Sequence, residues 1–261
     1  MSNIGDYAIC SADVVTDSAT GSWSGTGPTA SITNTMPEGY VWIACSQIYG
    51  NANGSSGTKI RITGMSGGAA PKQQGAGSGA SNIACSSALG SGFAALGAGN
   101  QTITASFNWD NGVSGGQSPS GAYSLYSIGI RASSLFGQIS QGDGDSGYNL
   151  KRPSIWTDST SSVVSGNTSV NLTVPAYHKW LAIATISLDG TGSGPTRAYL
   201  TITGGIEMRD YALAGSPDKR GFSNSGIGYA GAAGATITAS ATSVLANNGG
   251  LLSLHGFGVK V

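Results

Sequence analysis

The chain has 261 residues, 39% of them apolar and 9% charged, with a formal net charge of zero at pH 7. Charged residues normally make up about 25% of a globular chain, so Ser, Thr, Asn and the 43 Gly must do the solvating. The balanced, scattered charge leaves no electrostatic footprint for nucleic acid. No apolar run approaches the roughly 18 residues of a membrane span, and the composition is not of the charge-rich disordered type.

Met1 to Asp6 carry neither the basic nor the apolar stretch of a signal peptide, which predicts synthesis in the cytoplasm. Cys10, Cys45 and Cys85 are odd in number and read as small buried hydrophobes rather than a disulfide or metal set. Strand patterns then follow one another, and interior Gly, at about 1 kcal/mol each relative to Ala, argues against long helices. Thr16-Asp17-Ser18 comes first, then the apolar run Tyr40 to Ile48 around Trp42, then Ile60-Arg61-Ile62-Thr63-Gly64. A long irregular segment from Met65 to Gly79 precedes Ser81-Asn82. The alternating Thr102-Ile103-Thr104-Ala105-Ser106-Phe107 comes next, followed by Tyr123 to Ile128 and a close on Ile128-Gly129-Ile130-Arg131.

The same series then returns in the same order. It reads Thr157-Asp158-Ser159, His178 to Ile186 around Trp180, Leu200-Thr201-Ile202-Thr203-Gly204, Ser223-Asn224, Thr236-Ile237-Thr238-Ala239-Ser240, and Phe257-Gly258-Val259-Lys260. Six matches in one order imply a duplicated domain of roughly 130 residues, a usual domain size. The expected organisation is residues 1–132 as the first repeat, 133–147 as a polar linker and 148–261 as the second repeat. Period-two alternation with one wet face, in about seven runs per copy separated by Gly/Ser/Asn turns, predicts an all-β protein. The expected fold is two tandem homologous antiparallel β-sandwich domains of jelly-roll-like type.

Chemistry is sparse. His178 and His255 read as a strand-end residue and a surface or interface residue rather than bases, and no G-x-S-x-G elbow is followed by a plausible Asp and His. The two Glu, Glu38 and Glu207, fall at different places in the repeat, so no acid pair for glycoside hydrolysis emerges. Asp143-Gly144-Asp145-Ser146-Gly147 resembles the opening of a calcium loop, but Lys151-Arg152-Pro153 stand where its closing Glu belongs. No enzyme, cofactor or metal is expected. Trp42 and Trp180 recur at one point of the repeat and read as core residues. Trp109, at a strand edge near Tyr123 and Tyr126, is a candidate aromatic platform for glycans or a partner. The second long segment, Glu207 to Gly221, is charged where the first is small, so Arg209, Asp210, Lys219 and Arg220 are candidate partner contacts.

The paired strands around Trp42 and Trp180, the repeated Thr-Ile-Thr-Ala-Ser and the closing strands resemble, in style, bacteriophage virion proteins such as head-decoration, head-fibre and tail-accessory proteins. The resemblance spans the chain without a diagnostic motif. It implies a non-enzymatic β-sandwich protein made in the host cytoplasm, exposed on the virion surface, and assembling with itself and with other virion proteins. Doubling within one chain allows a trimer with pseudo-sixfold symmetry, the oligomer expected here. A lectin-like module binding host glycans is the alternative; neither nucleic acid nor membrane is an expected partner.

Overall fold

The computed structural model describes residues 9–25, 29–54, 58–68, 74–75, 79–111, 120–135, 138–141, 148–151, 153–164, 166–188, 196–212, 220–243 and 250–261. The first half contributes β1 (Val14–Ser24), β2 (Thr29–Met36), β3 (Tyr40–Gly54), β4 (Thr58–Met65), β5 (Gln74–Gly75), β6 (Gly79–Phe93), β7 (Gln101–Asn111) and β8 (Ser120–Arg131). A four-residue helix α1 (Ala132–Leu135) and a hairpin of β9 (Gln138–Gln141) with β10 (Tyr148–Lys151) follow. The second half contributes β11 (Ile155–Val164), β12 (Asn167–Val174), β13 (His178–Leu188), β14 (Thr196–Ile202), β15 (Met208–Ala212), β16 (Arg220–Ala230), β17 (Ala235–Ser243) and β18 (Gly250–Lys260).

Each half folds into two four-stranded sheets whose orders match strand for strand. In the first they are β1-β8-β3-β6 and β2-β7-β4-β5; in the second, β11-β18-β13-β16 and β12-β17-β14-β15. Eight antiparallel strands wound this way form a jelly roll, so the chain is two tandem jelly-roll sandwiches. The alternation in the sequence is what the sheets use. Along β12, Val170, Leu172 and Val174 are buried while Asn171 and Thr173 face solvent. Trp42, Ile48, Ile60, Ile103, Phe107 and Leu125 fill the first core; Trp180, Ile186, Leu172, Leu200, Ile237 and Leu254 fill the second. Each fully buried Ile or Leu contributes roughly 1.5–3 kcal/mol, which is how chains this poor in charge still fold.

The register shows how closely the copies correspond. Trp42 stands between Gly92 and Gly129 on its two neighbouring strands, and Trp180 between Gly228 and Gly258. A Cβ at Gly92 would lie 2.6 Å from the Trp42 ring, and one at Gly228 2.5 Å from the Trp180 ring, so each indole lies flat where only glycine leaves room. Ser31 and Ser106 share a hydroxyl hydrogen bond of 3.0 Å, as do Ser169 and Ser240 at 2.8 Å. The Asp17 and Asp158 carboxylates accept the next residue's N–H at the same 2.8 Å.

Several sequence expectations are corrected. Ile60–Gly64 is not the counterpart of Leu200–Gly204. A register shift between Ile62 and Gly64 adds a residue to the first copy, and the turns that correspond are Ser66-Gly67-Gly68 and Thr203-Gly204-Gly205. Both turns have their first Gly at positive φ, 63° and 70°. Nor does Ser81-Asn82 match Ser223-Asn224. With Gly92 and Gly228 equivalent, the counterparts of Ser223 and Asn224 are Ser87 and Ala88. The long segments read as irregular contain the short edge strands β5 and β15, each paired to the strand before it. The span read as a linker holds α1 and one strand of the hairpin, while the calcium-like Asp143–Gly147 lies outside the described residues. Cys45 and Cys85 are buried as expected, but Cys10 is exposed, because it precedes the first strand instead of pointing into a core.

Candidate functional site

The most built feature of the molecule is the seam between the two sandwiches. On β3, even-numbered Trp42, Ala44 and Ile48 face their own core, while Ile43, Cys45 and Tyr49 face the other copy. One apolar cluster draws Ile9, Val14, Tyr126 and Ile128 from the first half and Leu181 and Val259 from the second. Cys85 and Tyr49 pack instead into the core of the second sandwich, beside Met208 and Ile206.

Gln47 lies at the centre of this seam, 1% exposed. Its Oε1 accepts from the Ser225 N–H at 2.8 Å and from the Ser225 hydroxyl at 2.9 Å, and its Nε2 donates to the Ser225 carbonyl at 3.3 Å. A buried primary amide that finds both donors and acceptors on one residue fixes the two strands in a single register; any slip would strand polar groups at about 1–3 kcal/mol each. The Ser223 hydroxyl donates to Ser87 Oγ at 2.6 Å alongside it. Burial pushes the neighbouring Cys45 thiol up to about 12, with a Ser225 hydrogen bond opposing the shift, so this sulfur stays a neutral packing atom.

The amino-terminal segment latches the seam from one side. Ile9 N–H donates to the Lys260 carbonyl at 3.0 Å, and the Lys179 ammonium donates to the carbonyls of Ser11 and Val14. Desolvation lowers the Lys179 pKa, against the nearby Cys10. Arg131 supports the latch, pairing with Asp13 at 2.6 Å and lying 5.4 Å over the Tyr40 ring, whose hydroxyl donates to the Ala12 carbonyl.

The residues singled out in the sequence fall elsewhere. Tyr123 is half-buried and stacks on Phe107, centroids 4.9 Å apart, inside the first core. Tyr126, three residues on and therefore on the opposite face, is 4% exposed in the seam, where burial raises its phenol pKa. The two form no common surface platform. Trp109 sits on β7 opposite Ile60, with its side chain outside the described residues. Arg209, on β15, pairs with Glu207 and lies 5.3 Å over the Tyr199 ring. Asp210 and Arg220 belong to β15 and β16 with side chains outside the described residues, and Lys219 lies outside them altogether. His178 is a buried strand-end residue with Nδ1 at 2.8 Å from the Ala176 carbonyl, and His255 is exposed.

Sequence reasoning missed Gln47, Ser225 and Lys179. One signal was available for Gln47: an amide in the most apolar strand, on the face opposite Trp42, marks a second buried face.

No protein-family model and no curated protein matches the sequence. Among solved structures the chain is similar to the STIV MCP, at 10% identity over 94% of this chain and 96% of that one, with a TM-score of 0.25. It is also similar to the major capsid protein P2 from Bacteriophage PM2, at 12% identity, 93% and 98% coverage and a TM-score of 0.21. A third is the Cry4Aa toxin from Bacillus thuringiensis, at 8% identity, 89% and 58% coverage and a TM-score of 0.23. Superpositions this loose carry no argument, and the assignment of two jelly rolls rests on strand order and register.

Proposed function

We propose that this chain is a non-enzymatic structural protein of a virus particle, with a bacteriophage particle as the specific case. It stands on the particle surface and assembles with itself and with other virion proteins. The observation that carries the reading is the doubled jelly roll whose copies are locked by a buried, hydrogen-bonded seam. Jelly rolls recur in viral shells and in lectins. A rigid two-sandwich unit favours the shell, since three such chains place six near-equivalent sandwiches around one axis and fit a threefold or sixfold mount. A capsid position, as shell or decoration subunit, follows more directly from this shape than a tail or fibre one. The lectin reading loses support from Tyr123 and Tyr126, which are turned inward to different cores.

Native mass spectrometry of the purified chain, with negative-stain imaging, tests the assembly. A three-chain species with six lobes is expected. A single chain at every concentration, or absence of the protein from purified particles, would overturn the reading, and specific signals on a glycan array would favour the lectin instead.

A further inference from the structure

A strand at the edge of a sheet presents a row of backbone N–H and C=O groups that another strand can pair with, so folded proteins cover or blunt their edges. Most edges are covered here. On β16, Gln47 takes both the N–H and the carbonyl of Ser225. On β6, the Ser91 N–H donates to the Gly67 carbonyl of the turn beside it. β5 is two residues long, and β15 lies against β6 and β3. At the other end of the first sandwich, Asp17 of β1 seals β2. Its carboxylate accepts from the Thr35 N–H and its carbonyl from Asn34 Nδ2, both at 3.0 Å.

The matching end of the second sandwich lacks this seal. Register places Thr173 at Thr35, Leu172 at Asn34, Asp158 at Asp17, and Gly256 at Ser127, whose hydroxyl also holds Asn34 at 2.8 Å. A Cβ at Gly256 would lie 2.3 Å from the Trp156 ring and 3.2 Å from Leu172, so apolar packing fills the space of the polar cluster. Among the described residues the Asp158 carboxylate accepts only the adjacent Ser159 N–H, and no side chain takes the Thr173 N–H. The direction of these groups follows from the first copy. Thr35 points its N–H away from β7, and ladder groups alternate with period two. Asn167, Ser169, Asn171 and Thr173, at the places of Thr29, Ser31, Thr33 and Thr35, therefore point theirs away from β17. The close hydroxyl pair of Ser169 with Ser240 marks the same phase, because facing side chains approach most nearly where no ladder bonds are exchanged. β12 has neither a charge nor a proline, whereas β11 carries Asp158, a charge that blunts an edge.

We propose that β12 pairs antiparallel with β12 of a second copy of the chain, about a twofold axis at Val170. In that register Ser169 faces Asn171 and Asn167 faces Thr173 of the other copy. Every outward N–H and C=O from Asn167 to Thr173 gains a partner, and two four-stranded sheets become one of eight. An antiparallel pair of like strands is symmetric about a twofold, so a single edge serves both sides of the contact. Pro175, next in phase, has no N–H to offer and ends the pairing. The inference rests on the self-assembling role proposed above and adds to its three-chain unit a twofold joint between units.

The test compares the full chain with Asn171→Pro, which removes an N–H that the ladder with β17 does not use, a change that edge positions tolerate. Native mass spectrometry at rising concentration is expected to show three-chain units pairing in the wild type. In Asn171→Pro the joint is expected to be at least about 100-fold weaker, with an unchanged circular dichroism spectrum. Asn171→Lys, which sets like charges beside each other across the axis, should act in the same direction. Hydrogen exchange supplies a readout that needs no variant. The amides of Ser169, Asn171 and Thr173 should slow as wild-type concentration rises, while those of Ser31 and Thr33 do not change. Units that never pair, an Asn171→Pro that pairs like the wild type, or three amides that do not slow overturn the joint and leave the three-chain reading standing. A two-chain species that Asn171→Pro splits keeps the joint and overturns the three-chain reading. A wild type that remains a single chain at every concentration overturns both.

Discussion

Trp42 and Trp180 occupy the same place in the two sandwiches, yet among the described residues only one has its N–H satisfied. Trp42 Nε1 donates to the Gln101 side chain at 3.0 Å; at the corresponding position stands Ala235, and the buried Trp180 Nε1 finds no acceptor among the described residues. The ring, its flanking glycines and the sheet register are the same in both copies, while the polar accessory is not. Packing shape therefore constrained both copies tightly, and hydrogen bonds worth about 1 kcal/mol were free to diverge.

That comparison can be broken by several measurements. The largest effect is expected from Trp42→Ala or Trp180→Ala, each losing about 4 kcal/mol in urea unfolding; a loss confined to one copy would show that the equivalence is superficial. Gly92→Ala and Gly228→Ala should each cost about 2 kcal/mol, because the added Cβ meets the indole and not a flexible side-chain end. Gln47→Ala should cost about 3 kcal/mol and split one unfolding transition into two, since it leaves the Ser225 donors unpaired inside the seam. Two stabilising changes test the asymmetry from the other side. Ala235→Gln should add about 1 kcal/mol by supplying the acceptor that Trp180 lacks. Tyr177, at φ 60° where the first copy has Gly39 at φ 78°, should gain about 1 kcal/mol on replacement by Gly, read as a higher melting temperature.

A further effect shows only in alkali. A thiol whose folded pKa is raised contributes stability in full below its unfolded value of 9.0, and this is lost as pH climbs from there toward about 12. Stability should accordingly fall above pH 9 in the wild type and fall less in Cys45→Ala. In the native protein Cys10 should react with a thiol reagent while Cys45 and Cys85 wait for unfolding, as timed absorbance would show.

Much of this was legible in the chain. Duplication, the all-β class and the two core tryptophans follow from alternation and repeated words, because a strand's side chains face alternate sides whatever lies around it. The Thr102–Ser106 and Thr236–Ser240 match held residue for residue, since both strands lie mid-sheet with no bulge between them. Two matches failed for physical reasons. The bulge after Ile62 moved the register by one residue, and a two-letter word such as Ser81-Asn82 is too short to specify a place in a strand.

By itself the sequence determined which residues turn inward and that the pattern occurs twice. It could not determine which of two buried faces a residue serves, because Gln47, Tyr126 and Cys45 alternate with core residues just as solvent-facing residues would. Only the tertiary structure decided that Gln47 is buried between the sandwiches while Ser187, at the place in the second copy that corresponds to Tyr49, is exposed. Burial of a sheet's outer face depends on what packs against it, and that partner is more than a hundred residues away in the chain.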